Sequence, residues 1–228
     1  MNKQNPMCAR CTIKKSERIC RTENGKSFAN CPTLNEQELL NQSLALYEDP
    51  DILEFAKQAS IQEGEGYSNR ELGLDFLKPA KPRIVEVAEF SKKMKYEHIG
   101  LAFCSGLLKE ARIVEKFLSS NGFEVTSVVC KVGCVPKEKI GIKDDQKIAI
   151  GCFESMCNPI MQALVLNDKK TEFNVLLGLC VGHDSLFFKH AEAPCTVLAA
   201  KDRLLCHNPL GAIYQIDAYY RALKIDNC

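Results

Sequence analysis

The stretch EFNVLLGLCVGHDSLFFKH, residues 172–190, runs from an unbroken apolar segment through a cysteine and a glycine into a helical pattern. Continuous hydrophobicity up to Cys180 suits a strand covered on both faces, as in a parallel sheet. Gly182, His183 and Asp184 then open a short helix over 183–191. The chain therefore turns at a strand's carboxyl end, where open α/β sheets place their ligands.

The same grammar repeats outward from this stretch. EHIGLAFC (97–104), FEVTSVVC (123–130) and CTVLAAKD (195–202) read as strands, with KIAIG (147–151) as a shorter one. LLKEARIVEKFLSSN (107–121), PIMQALVLND (159–168) and PLGAIYQIDAYYRALK (209–224) read as helices, the last two opened by Asn-Pro. Alternating strands and helices imply crossover connections and a Rossmann-like, mostly parallel sheet of four to five strands over residues 97–228. No Gly-x-Gly-x-x-Gly follows the first strand, so no dinucleotide is expected. CSGLLKEAR (104–112) offers at most a helix start that seats an anion.

Residues 33–96 read as a helical segment. Thr33 with Glu36 and Ser68 with Glu71 have the spacing of capping boxes. Asp49-Pro50 opens another helix, stopped by Gly64, and KPRIVEVAEFSKKMKY (81–96) makes one more. Residues 1–32 are polar, without apolar periodicity, and carry four cysteines.

The composition is that of a globular chain: 46% apolar, 26% charged, net charge +1. Near-neutral charge argues against a nucleic-acid footprint or electrostatic membrane attachment. No apolar run spans a bilayer, and MNKQNPMCAR shows no hydrophobic signal segment, so a cytoplasmic location is expected. Thirteen cysteines in such a compartment stand as thiols, metal ligands or redox groups.

Cys8-x2-Cys11, Cys20 and Cys31 form the first group. One Cys-x2-Cys pair grips an ion from a tight turn, and two further thiolates complete a tetrahedron of the kind zinc prefers. A metal would also order a segment that lacks a core. An iron–sulfur cluster accepts the same four ligands, and a disordered tail of reduced cysteines is the plain alternative. Lys14, Lys15, Arg18 and Arg21 nearby read as a solvated basic face.

The second group comes from distant stretches. Cys104, Cys130 and Cys180 each close an expected strand, and Cys157 precedes an Asn-Pro helix start that favours a thiolate. His183 is placed to ligate a metal or carry a proton, with Asp184 as its orienter or the helix cap. Cys130, Cys157, Cys180, His183 and Asp184 are the candidate catalytic residues or cluster ligands. Cys206 and His207 fall on the same edge, while Cys134 is undecided. Cys195 opens its strand and belongs at the opposite edge; it, Cys152 and Cys228 read as packing or surface. His98 and His190 read as structural. Lys201 and Arg203 stand ready to hold an anionic substrate, or else Lys201, Asp202 and Arg203 pair with one another at the surface.

CARC (8–11), FEVTSVVCKVG (123–133), ESMCNPIMQALVLN (154–167), LLGLCVGHDSLF (176–187) and KDRLLCHNP (201–209) together resemble a bacterial and archaeal family of uncharacterised metal-binding proteins, domain of unknown function eighteen-forty-seven. The resemblance implies metal binding by Cys8, Cys11, Cys20 and Cys31. It places Cys130, Cys157, Cys180, His183, Asp184 and Asn208 inside the family's motifs, whereas Cys104 and Cys206 stand where the family's pattern has other residues. It implies no activity.

The expected protein is α/β: a cysteine metal knuckle (1–32), a helical segment (33–96) and an α/β domain (97–228). Zinc or an iron–sulfur cluster would sit at the N-terminus. A cysteine-lined sheet edge would do redox or sulfur chemistry on a small anionic or sulfur-containing substrate. The alternative is a metal-handling or protein-interaction module without catalysis.

Overall fold

The structure, a computed structural model, describes residues 5–224, so Cys228 lies outside the described residues. Contacts divide the chain into two compact units, residues 1–61 and 62–228.

The first unit holds α1 (Pro32–Asn35), α2 (Gln37–Leu46) and most of α3 (Pro50–Glu65). Pro32 takes the first helical position of α1, with Cys31 as its N-cap. Thr33 therefore lies inside the first turn, and the expected Thr33–Glu36 box gives way to Glu36 as the N-cap of α2. Asp49 does cap α3: its Oδ1 accepts the amides of Asp51 at 2.9 Å and Ile52 at 3.2 Å. Among described residues 5–61, Cys31 alone is buried, at 5% exposure.

The second unit opens on a two-strand ribbon, β1 (Tyr67–Ser68) with β2 (Lys78–Pro79). Ser68 is thus a ribbon residue, its hydroxyl donating to the Lys78 carbonyl at 3.4 Å, rather than the cap of a third box. Asn69, at φ 62°, leads instead into a single 3₁₀ turn, Arg70–Leu72.

Next come α4 (Arg83–Lys93), β3 (His98–Phe103), α5 (Leu108–Ser120), β4 (Glu124–Val129), α6 (Pro159–Asp168), β5 (Phe173–Leu177), α7 (His183–His190), β6 (Cys195–Ala199) and α8 (Leu210–Tyr214). The four longer strands form one wholly parallel sheet in the order β4-β3-β5-β6. β5 is buried at every position, as its unbroken apolar run requires. Ile99, Leu101, Leu118, Leu166, Leu176 and Phe187 form the driest part of the core.

α4 belongs to this unit. Phe90 meets Phe173 with ring centroids 5.5 Å apart. Arg83 donates to the Val197 carbonyl at 2.7 Å and the Thr196 hydroxyl at 2.9 Å, covering backbone of the edge strand β6.

Two expected elements differ. Lys147–Gly151 is turn and bend rather than strand. The amides of Ile148 and Ala149 bond the Glu154 carboxylate at 2.8 and 3.1 Å, so a side chain takes the donors a neighbouring strand would have taken. The last helix stops at Tyr214, because its apolar residues Ile213, Tyr214 and Tyr219 are exposed and gain little from a helical face. Among the described residues, no helix is long and apolar enough to cross a membrane.

Candidate functional site

The sheet order reverses between β3 and β5: β4 lies on one side of β3, and β5 with β6 on the other. Chain leaving β3 and chain leaving β5 diverge there, opening a crevice at the carboxyl edge. Cys104 is the first residue after β3, Cys130 the first after β4, and Cys180 the third after β5. The Cys104 amide bonds the Leu177 carbonyl at 3.0 Å, and the Cys130 amide bonds Phe103 at 2.8 Å. The sheet's own hydrogen bonds thus hold the backbones of these two thiols side by side.

Cys130 is buried at 3% exposure. Its sulfur accepts the Ser105 amide at 3.3 Å and lies 3.8 Å from the Ser105 hydroxyl. The helix start expected to seat an anion therefore has a sulfur in its reach. Cys157 brings its sulfur 3.9 Å from that of Cys130. The Asn158 amide fixes this approach by bonding the Cys130 carbonyl at 2.7 Å, while the Asn158 side chain caps α6 through the Met161 amide at 3.1 Å.

The Cys157 thiol is pulled down to about 7. The first cause is hydrogen bonding with Cys130, and the Lys131 charge adds to it. Burial and the neighbouring Cys180 and Cys104 oppose the shift. The helix start behind Cys157 is thus not the leading influence. Cys104 is pushed up to about 12, first by its hydrogen bond with Cys130 and then by burial, against donors at Gly106 and Lys201. Hydrogen bonding with one buried thiol is thus the leading cause of two shifts that run in opposite directions.

Cys180 stands at the turn into α7 and receives Arg203 Nη2 on its sulfur at 3.1 Å. Its carbonyl accepts the amides of His183 at 2.9 Å and Asp184 at 3.1 Å, which starts the helix. Burial, and then the charges of Lys131, Lys137 and Arg203, lower the affinity of His183 for a proton, against the opposing Asp184. Asp184 accepts the Ser185 amide at 2.8 Å and acts on the imidazole through its charge.

The expected edge residues do not all join. His207 Nδ1 accepts the Asp202 amide at 3.1 Å, and Asp202 Oδ1 accepts the amides of Leu204 and Leu205 at 3.0 and 2.8 Å. Both residues brace the 202–207 turn, and Asp202 is not a partner for its neighbouring cations. Cys206 and Cys134 are exposed, each at positive φ in a turn. Cys195 opens β6 at the far end, its sulfur 3.2 Å from the Ala193 carbonyl. Two contributors come from structure alone: Ser105, and Lys131, whose only sequence signal is its place after the strand-closing cysteine in VVCKVG.

In the first unit, Cys8, Cys11, Cys20 and Cys31 all line one hollow of about 70 Å³. A 3₁₀ turn carries Cys8, and its carbonyl accepts the Cys11 amide at 3.2 Å. Arg18 and Lys26 bridge, with the Ile19 amide on the Lys26 carbonyl at 2.9 Å, and this presents Cys20. A Cβ at Gly25 would come within 2.5 Å of the Ile19 nitrogen, so only glycine fits this close approach. Arg18, expected on a solvated face, instead braces the fold through the carbonyls of Ile13 at 2.8 Å and Cys11 at 3.4 Å. As placed, no three His, Cys, Asp or Glu side chains among the described residues close around one point as a metal site.

Comparison with known proteins places these features in a family. A relative from Methanocaldococcus jannaschii, "Uncharacterized protein MJ0455", is 51% identical over 134 residues, covering 59% of this chain and 67% of that relative. The model of a family described as "Protein of unknown function (DUF1847)" matches residues 31–198. That span includes Cys31, Cys104, Cys130, Cys157, Cys180 and His183, and neither description states a metal or an activity. The match covers well over half of the chain, which therefore belongs to the DUF1847 family.

Proposed function

We propose that the carboxyl edge of the sheet performs thiol redox chemistry, with Cys157 as the attacking thiolate and Cys130 as the thiol that resolves it. The observation that carries this reading is the 3.9 Å approach of the two sulfurs, one buried and one half-exposed, from opposite ends of the loop that joins β4 to α6. A thiolate near neutral pH is the reactive form, and a pKa close to ambient pH balances thiolate fraction against nucleophilicity.

The Cys157 thiolate attacks one sulfur of a disulfide, the sulfur–sulfur bond breaks, and one thiolate leaves. Cys130 then loses its proton and attacks the Cys157 sulfur, releasing the second half of the substrate as a thiolate. The protein pair is oxidised by two electrons and the substrate disulfide becomes two thiols. His183, whose affinity for a proton is lowered by burial, takes the role of proton carrier in this reading. Cys104 stays protonated and lends its hydrogen bond to Cys130.

Oxygen-free protein equilibrated with a graded series of thiol and disulfide, then mapped by mass spectrometry, tests this. A Cys130–Cys157 disulfide should form, and Cys157→Ser should abolish it. Oxidation confined to exposed Cys134, Cys152 or Cys206 would defeat the proposal.

A second reading has its own observation. The first unit buries only Cys31 among its described residues, yet gathers four cysteines on one hollow. A thiolate-bound metal would order such a coreless segment. Four thiols suit zinc, and they suit an iron–sulfur cluster as well. Metal and acid-labile sulfide per chain, with the visible spectrum, separate the cases. One zinc without colour, lost in Cys11→Ser, is the expected result. Full-length protein with no metal after anaerobic purification would remove this reading, leaving the sheet-edge reading untouched.

A further inference from the structure

We infer that Lys131, Lys201 and Arg203 form an anion seat over the sheet-edge thiols, and that the substrate is a small disulfide bearing carboxylate or sulfonate groups. The inference rests on the thiol reading above and adds to it the class of molecule that is recognised.

The three cations arrive from two separate connections. Lys131 directly follows Cys130, while Lys201 and Arg203 follow β6 on the far side of the switch point. Arg203 Nη2 lies 3.1 Å from the Cys180 sulfur. The Lys201 amide bonds the Leu179 carbonyl at 3.2 Å, which holds its backbone against the chain leaving β5. The Lys201 ammonium lies 3.6 Å from where a Gly178 Cβ would stand and 4.0 Å from where a Gly106 Cβ would stand. Two glycines therefore leave the space around this charge open. Lys131 donates one of its three N–H bonds to the Ser155 carbonyl.

Among the described residues, none of the three lies within 4.0 Å of a carboxylate oxygen, although other lysines of the chain pair in that way. The nearest sequence neighbour with a carboxylate, Asp202, spends its acceptor on two backbone amides. Lys137 is matched to Glu154 at 2.7 Å. Asp184 remains as an opposing charge beside His183. Lys131 acts on Cys157 by its charge, Lys201 hydrogen-bonds Cys104 and Arg203 reaches the Cys180 sulfur; against Asp184 and Asp202 these three cations leave a net positive field along the thiol edge, and Arg203 supplies a planar fork that fits an oxyanion. A neutral disulfide would have no use for that field, whereas a carboxylate or sulfonate carried a few atoms from the reacting sulfur would be steered and held by it.

The test compares two alkylating agents that differ in charge. Cys157 is reacted with iodoacetate and with iodoacetamide at low ionic strength, with exposed Cys206 of the same chain as reference. The iodoacetate-to-iodoacetamide rate ratio should be about tenfold higher at Cys157, within the range electrostatic steering gives, and added salt should erase the difference. Arg203→Gln and Lys201→Gln should each lower the ratio severalfold. Calorimetric titration with inorganic sulfate should show binding that both substitutions weaken. A ratio equal to that of Cys206, together with no sulfate binding, overturns the seat. Sulfate binding with Cys157 inert to both reagents would uphold the seat and defeat the thiol chemistry.

Discussion

A thiol's acidity depends on what touches its sulfur, and three neighbouring cysteines make the point. Cys104 and Cys157 are both half-buried and both bond Cys130, yet one sits near 12 and the other near 7. The leading cause in both is hydrogen bonding with Cys130, which supports the ionised form of Cys157 and the protonated form of Cys104, where burial adds to it. Iodoacetamide labelling of Cys157 should therefore rise with a midpoint near pH 7, with Cys104 unlabelled at pH 8. A Cys157 midpoint at the ordinary value of 9.0 would show that the shift is absent. Linkage gives each thiol a sign. The lowered Cys157 group contributes stability that is present above pH 9 and is lost as pH falls through 7. The raised Cys104 group contributes stability present below pH 9 and lost as pH climbs toward 12.

The central strand shows how an element holds the site. Gly100 of β3 pairs with Asn174 of β5, and an added Cβ would stand 2.0 Å from Asn174 Oδ1 and 2.9 Å from Leu166 Cδ1. Asn174 is itself fully buried, and its Oδ1 accepts the Thr171 hydroxyl at 2.8 Å. Gly100→Ala therefore forces two buried side chains to move, at a cost of roughly 1–3 kcal/mol by analogy with overpacked cores. Chemical denaturation would read this as a lower midpoint at unchanged slope. An unchanged midpoint would mean that Asn174 has room to turn. The strands were legible in the sequence because apolar runs closed by cysteines mark buried parallel strands. KIAIG was misread because its alternation mimics a strand, while the partner of its amides is Glu154, a side chain seen only once the loop is folded.

At the scale of the whole chain, the two units are held by different forces. The second has a dry core of aliphatic and aromatic side chains beneath a four-strand sheet. The first has one buried residue among those described and four cysteines that line one hollow. If metal orders the first unit, stripping it with a chelator or a mercurial should expose residues 5–31 to protease while the sheet stays protected. Equal protection before and after stripping would assign that order to something else. The sequence showed the cysteines of the first unit plainly. It did not show Arg18 turned inward to the carbonyls of Ile13 and Cys11, because a side chain that braces backbone leaves no periodic trace.

The sequence by itself determined the α/β class, the parallel sheet and the gathering of Cys104, Cys130 and Cys180 on one edge, since apolar continuity and strand-closing positions are local properties. It also separated Cys195, which opens its strand, from the cysteines that close theirs. Only the tertiary structure decided which thiols touch. The 3.9 Å pairing of Cys130 with Cys157 crosses 27 residues of loop and depends on the Asn158 amide finding the Cys130 carbonyl. Likewise, Lys201, Asp202 and Arg203 read alike as a charged run. The fold sends the lysine and arginine to the thiols and the aspartate to its own turn, because backbone amides at 204 and 205 need an acceptor and the sulfurs accept the cations' donors.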